Sequence, residues 1–503
     1  MSERVIIIGG GIGGLFTGAF LARNGLKVTV LEKNSIIGGG LQCFTRRGKL
    51  FETGMHIMGG FERGGSLDRI CRYLGILDSL DIHHIDSRCM DEIRFDSTGD
   101  VYRIASGREG FAASIASYFP EEAEGIQAYV DSLYAIADEV PLFYLRPSDG
   151  SISAHTESFT MPADELIARH VGNPRLRELL AYLNPLYGGV AGHTPAYIHA
   201  LINVLYINGA SRFIGGSQQL ADALAAIITD AGGEVLAGCE VTHIEVTDRM
   251  VDHVVTADGR TFKADRYISA IHPATLVKIV SDGAFLRGFV KRINEIPNSY
   301  SAFSLFIDLK PDVFPYIDHT CYFMEDYGYI WAQDTPCDDS FPQGFMYMTP
   351  PDKRQGKYAS RMLVHCIMGF DEVRRWENTT VGRRGADYEA WKQKNIARVM
   401  SRLGRLFPGF EDMTAHVYAA SPLTVRDYYH TKEGALFGYR KDADNLVLSQ
   451  IPVYTKVRNL LLTGQNINLH GICGVPLTAI NTAEAILGSN VIVNQINDAN
   501  KDI

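Results

Sequence analysis

The hydrophobic and polar positions of this chain divide it into elements before any motif is considered. Val5-Ile6-Ile7-Ile8 is an unbroken apolar run of strand length, the pattern of a strand buried on both faces. Glycines 9, 10, 11, 13 and 14 follow, then a stretch predicting a helix over about 12–24, then a second apolar run, Val28-Thr29-Val30-Leu31. The order is strand, glycine turn, helix, strand. Near the other end Leu460-Leu461-Leu462 predicts another buried strand, leading through Gly471 and Gly474 into a helix over 475–487.

Between these ends, Arg46-Arg47-Gly48-Lys49 reads as the turn of a short hairpin, and 67–140 reads as helical, including 111–119 and 121–138. Residues 179–211 contain no Asp, Glu, Lys or Arg, yet Asn184, Pro185, Gly188, Gly189, Gly192, Pro195 and two histidines interrupt them. A broken pair of buried helices suits this block better than a membrane span. Three readings stay open for it: plain core, walls of an apolar tunnel, or a surface dipping into a membrane. Gly215-Gly216-Ser217 precedes an amphipathic helix over 218–231. Short segments at 234–236, 239–241, 242–246, 252–256 and 261–268, with Asp258-Gly259 as a turn, read as one small antiparallel sheet. Strand-like pieces at 300–306 and 362–368 mark the aromatic-rich remainder.

At 503 residues the chain exceeds what one core supports, so two domains are expected. The fold class is α/β: a Rossmann-type domain with a discontinuous path (1–70, 212–290 and 455–503) and a mixed α+β substrate domain (71–211 and 291–454).

The glycine turn carries the first chemistry. Gly9 permits the tight turn, Gly11 lets a pyrophosphate approach the backbone, and Gly14 lets helix pack on strand. The helix N-terminus offers unpaired N–H groups to phosphates. Glu32, about 20 residues on, suits the hydroxyls of an adenosine ribose. Net charge of −10 and the lack of a dense basic run argue against nucleic acid. Eight scattered cysteines without a C-x-x-C pair suggest reduced thiols, no structural zinc and a cytoplasmic setting. The first residues are too glycine-rich to read as a signal peptide.

A strand, glycines and a helix start at the C-terminal end suit FAD, which is long enough to need a second anchor at its isoalloxazine end. Taken together, Gly9-x-Gly11-x-x-Gly14 with Glu32, Gly38-Gly39, Phe51-Glu52-Thr53-Gly54-Met55-His56, Phe119-Pro120-Glu121-Glu122, Gly215-Gly216-Ser217, Leu462-Thr463-Gly464-Gln465 and Gly471-Ile472-Cys473-Gly474 resemble the phytoene desaturase, carotenoid isomerase and retinol saturase group of flavoproteins over nearly the full length. His56, with the stretches 421–428 and 434–439, tilts the resemblance toward the saturase and isomerase branch. Two positions depart from it. Gly40 stands where relatives often carry a phosphate-contacting arginine, and Asn466 where an aspartate is frequent.

The resemblance implies cofactor-binding roles for Gly9, Gly11, Gly13, Gly14, Glu32, Lys33, Gly39, Gly40, Val241, Gly464, Gln465, Asn466, Gly474 and Val475. His56 and His470 are the candidate catalytic residues, each weighed against a structural histidine bonded to backbone. Cys473 reads as a small packing residue, and Tyr428, Tyr429 and Tyr439 as core aromatics or cavity wall. The expected function is FAD-dependent oxidoreduction at C–C or C=C bonds of a lipophilic polyene or isoprenoid, with peripheral membrane contact among the expectations. Two rivals remain: a flavin amine oxidase-like enzyme, favoured by parallel aromatics and carboxylates at the flavin, and a non-enzymatic escort of prenylated proteins.

Overall fold

A computed structural model describes residues 2–148, 155–331, 340–353 and 355–502. Arg4–Ile8 is central to a five-stranded sheet, ordered Leu460–Leu462, Arg266–Ser269, Arg4–Ile8, Lys27–Leu31, Glu234–Leu236. Every pairing is parallel. Such a sheet is covered on both faces, which is why Val5, Ile6, Ile7 and Ile8 are all buried. Helices Ile12–Arg23, Gln218–Asp230 and Gly471–Leu487 pack about it, the first against both others. This sheet draws its strands from the beginning, middle and end of the chain.

Three expectations are corrected. Glu234–Leu236 and Arg266–Ser269 belong to the parallel sheet, whereas Val241–Thr247, Met250–Thr256 and Thr261–Phe262 alone form the antiparallel one. Strands of three or four residues carry too little alternation to reveal their partner. The stretch after the helix Ser66–Leu74 is not helical throughout: Ile82–His84, Asp91–Phe95 and Asp100–Ile104 are strands, followed by helices Arg108–Ala116 and Ala123–Asp138. The helix expected from 475 begins a turn earlier, at Gly471.

The second sheet has seven strands, ordered Thr414–Ala420, Ser301–Leu309, Arg361–Met368, Gly344–Met348, Thr320–Met324, Asp91–Phe95, Asp100–Ile104. One face carries Phe303, Leu305, Ile307, Phe323 and Val364 and packs on Val399 and Leu403 of the helix Ala386–Leu406. The opposite face carries Phe306, Tyr322, Met346, Met348 and Leu363 and shares a core with the first helix. In the uncharged block, Ala196–Ile207 is a buried helix preceded by a short turn of helix, Asn184–Leu186. Its His199 is bonded by the hydroxyls of Tyr129 and Tyr187 at 2.6 and 2.8 Å. Burial drops that imidazole to about 3, so it is neutral.

Among the described residues no single helix is long and apolar enough to cross a membrane. Cys43, Cys71, Cys89, Cys239, Cys321 and Cys473 are free thiols, and Cys337 lies outside the described residues.

Candidate cofactor and substrate site

The glycines of the first turn serve different ends. Gly9 has φ of +104° and turns the chain, a conformation costly for other residues. A Cβ on Gly14 would lie 2.1 Å from the Gly9 carbonyl oxygen, so helix and strand touch there. A Cβ on Gly13 would lie 2.8 Å from Cα of Gly464, so the N-terminal and C-terminal glycine turns abut. Gly11 differs: its Cβ would meet nothing nearer than Gly39 Cα at 4.0 Å. It faces open space at the N-terminus of Ile12–Arg23, whose first N–H groups lack helical partners.

Glu32 is buried at 6% exposure. Its Oε2 accepts the Gly10 N–H and its Oε1 the Asn34 N–H, both at 2.7 Å. Burial raises its pKa and outweighs those two bonds, which pull it down. Each carboxylate oxygen keeps a free lone pair for a hydroxyl donor. Gly38 and Gly39, both left-handed, lie against the turn, with the Gly38 N–H donating to the Gly10 carbonyl at 2.8 Å. A Cβ on Gly40 would be 3.5 Å from the Tyr429 ring. That ring therefore covers the position where relatives often place arginine. An open glycine approach, a helix start and a buried carboxylate with spare acceptors fit the pyrophosphate and ribose of FAD.

The remaining expected cofactor residues fall into two groups. Lys33 is half-exposed and its Nζ is held by Glu240 at 2.7 Å. Val241 begins a strand two residues after Cys239, whose N–H donates to the Glu32 carbonyl at 2.7 Å. Gly464, Gln465 and Asn466 form the second glycine turn, where Asn466 Oδ1 accepts the Tyr439 N–H at 3.1 Å. The neutral amide thus anchors the segment 438–439. Gly474 packs on Leu469, and Val475 closes against Gly13.

A polar cluster lies where the hairpin Cys43–Arg46/Lys49–Glu52 meets the seven-stranded sheet. Buried Glu52 accepts the Ser217 N–H at 2.9 Å, and the same Oε1 meets His56 Nδ1 at 3.0 Å. That bond assigns the Nδ1 hydrogen, leaving His56 Nε2 to exchange a proton. Gly54 makes room for the ring, because a Cβ there would be 3.0 Å from Nε2. The Tyr429 hydroxyl donates to Thr53 Oγ1 at 3.2 Å beside it, and burial raises the tyrosine pKa.

Sequence reasoning missed the sheet's contribution. Ala420, Ser304, His365, Met346 and Tyr322 stand in one register row across five strands. His365 Nδ1 meets Ser304 Oγ at 3.3 Å, and burial next to His56 lowers its pKa to about 4. Its Nε2, with the hydroxyls of Tyr322 and Tyr418, is shut from water without a hydrogen-bond partner. His470, just before Gly471–Leu487, is buried beside Phe437, ring centroids 5.1 Å apart. Burial and nearby Lys441 bring it to about 4. It is neutral at physiological pH, which suits accepting a hydrogen bond better than supplying a proton.

Comparison with known proteins agrees with this geometry. The chain is 26% identical to the all-trans-retinol 13,14-reductase of Macaca fascicularis, covering 97% of this chain and 86% of the relative. It is 25% identical to the chloroplastic prolycopene isomerase of Arabidopsis thaliana, over 85% of this chain and 73% of the relative. The solved structure of a putrescine oxidase superposes with a TM-score of 0.63 at 14% identity, covering 97% of this chain and 99% of that one; this shows a shared fold. Residues 12–487 match the family described as flavin containing amine oxidoreductase, and with FAD as its cofactor the chain belongs to that family.

Proposed function

We propose that the chain is an FAD-dependent oxidoreductase that desaturates, saturates or isomerises C–C or C=C bonds of a lipophilic polyene or isoprenoid. The observation that carries this reading is the buried, mainly apolar sheet face beside His56. The sheet face presents Phe306, Met346, Met348 and Leu363, and burial keeps His365 and Tyr322 among them neutral. A polyene needs only such apolar area, at about 25 cal/mol per Å² buried. A charged amine would instead need a free paired charge, and Glu52 is already engaged by His56 and Ser217. The rings of Phe437 and Tyr300, next to His470, meet at 90° rather than in parallel. The activities named for the retinol reductase and prolycopene isomerase support the same substrate class.

In this reading Glu32 and the first glycine turn hold the adenosine end of the cofactor. Flavin, when bound, supplies the redox equivalents. Glu52 orients His56, whose Nε2 gives or takes the proton at the substrate carbon. The apolar sheet face keeps water away. The proposal includes peripheral membrane contact from the cytoplasmic side, because a lipophilic substrate has to leave a bilayer; co-sedimentation with lipid vesicles tests it. The main test mixes the flavin-loaded protein anaerobically with a carotenoid or retinoid, and separately with small amines, while following flavin absorbance. A spectral response to the polyene is expected. A response confined to the amine overturns the proposal.

A further inference from the structure

The seven-stranded sheet brings three metal-ligand side chains together on the face turned away from His365. Strands Thr320–Met324 and Asp91–Phe95 run parallel there, with Cys321 directly opposite Glu92. Tyr322 stands in the His365 row, so its neighbour Cys321 points to the other face, where it packs with Phe323 and Tyr347. His319 lies just before the strand, and one ligand atom each from Glu92, His319 and Cys321 falls within 4.8 Å of the other two. Arg103, two-thirds exposed, holds Glu92 through Oε2 at 3.0 Å, and the same oxygen is 3.9 Å from His319 Nε2. A thiolate, an imidazole and a carboxylate are donors that zinc accepts together, whereas magnesium and calcium take oxygen. Around a tetrahedral zinc at about 2.0–2.3 Å from each donor, the donors sit about 3.3–3.6 Å apart. The widest gap here closes by little more than about 1 Å on that geometry, through turns of the partly exposed Glu92 and His319 side chains.

We propose that Glu92, His319 and Cys321 bind a zinc-class divalent cation that pins the strand Asp91–Phe95 to Thr320–Met324. Water completes the tetrahedron. Binding breaks the Cys321 S–H bond, forms a sulfur–metal bond and sends the proton to solvent. Glu92 keeps Arg103 on one oxygen and offers the other. The two strands come from remote parts of the chain, and the ion ties them where Tyr322 stands on the opposite face. Its part is to hold the sheet; it does not touch the reacting carbons. The cysteine spacing that argued against structural zinc reads only ligands close together in the chain, and these three meet only once the sheet has formed.

Flavin-loaded protein dialysed against zinc, then against zinc-free buffer, is analysed for metal by mass spectrometry. About one zinc per chain is expected, and excess magnesium should not displace it. Cobalt(II) stands in for the spectroscopically silent zinc, and its difference spectrum should carry a thiolate-to-cobalt charge-transfer band. Cys321→Ser should abolish that band. Glu92→Gln, at a partly exposed position, should keep flavin and weaken zinc at least about tenfold, and it decides the matter if Cys321→Ser fails to fold. Zinc at about a hundred times its dissociation constant should raise the wild-type melting temperature by about 2–3 °C, and by less in Glu92→Gln. Wild type that retains no zinc overturns the proposal, as does cobalt bound without a thiolate band. Wild-type zinc affinity in Glu92→Gln overturns it too, by placing the ion elsewhere on the chain.

Discussion

Replacing Glu32 by Gln separates two duties of one carboxylate. In the folded chain its two oxygens take the N–H groups of Gly10 and Asn34, each at 2.7 Å. A glutamine offers one oxygen and one NH2, so either Gly10 or Asn34 faces a donor. An unsatisfied buried N–H costs about 1–3 kcal/mol, which appears as a lower melting temperature of the cofactor-free protein. The ribose loses separately: its hydroxyls exchange charge-assisted bonds for a neutral acceptor at best, a difference of about 1–2 kcal/mol. That corresponds to roughly five- to thirtyfold weaker FAD binding. Calorimetry on the apoprotein measures the first effect, and quenching of FAD fluorescence on reconstitution the second. A variant with a lowered melting temperature but an unchanged FAD dissociation constant would confine Glu32 to holding its own loop and refute the ribose assignment.

Two glycine replacements should part company. Gly14→Ala drives a Cβ into the Gly9 carbonyl at 2.1 Å and should cost folding itself, read as loss of soluble protein, whereas Gly11→Ala meets no atom nearer than 4.0 Å and should keep its melting temperature while losing FAD; equal FAD content in Gly11→Ala and wild type contradicts the phosphate approach. Burial holds the Glu32 pKa above its ordinary 4.5. The ionised form accepts the ribose hydroxyls, so FAD retention should be complete at neutral pH and fall as pH drops through that raised value; flat retention down to pH near the ordinary value rejects this linkage. His56→Gln should keep flavin but lower kcat by roughly 10²- to 10⁴-fold, the range for a proton-transfer residue; a kcat within about twofold of wild type removes His56 from the proton path.

The nucleotide-binding turn was legible because its requirements are local. Phosphate approach, helix start and ribose carboxylate lie within the first 32 positions, and each demands a particular residue type. The uncharged block stood out by its missing charges, which left core, tunnel wall and membrane surface open, and the structure places most of it, including the helix Ala196–Ile207, in the core. The substrate side was harder to read. Asp91-Glu92-Ile93-Arg94-Phe95 looks polar and helical until Asp91 is seen buried, accepting the Tyr182 hydroxyl at 2.8 Å. His365 gives no signal in its strand because its neighbours in the row, Ser304, Met346 and Tyr322, come from remote parts of the chain. Glu52 was visible within a shared motif, but its bond to His56 depends on the tight passage through Gly54.

The abutting turns at Gly13 and Gly464 bear on how the chain matures. During synthesis the strand Arg266–Ser269 pairs with Arg4–Ile8 while its other edge still awaits Leu460–Leu462. For nearly two hundred residues of translation that open edge can recruit strands from other chains. The seat for the cofactor is completed only when Leu460–Leu462 and the turn at Gly464 dock, so flavin loading reports a closed sheet, and a chain stalled before position 460 is an aggregation hazard.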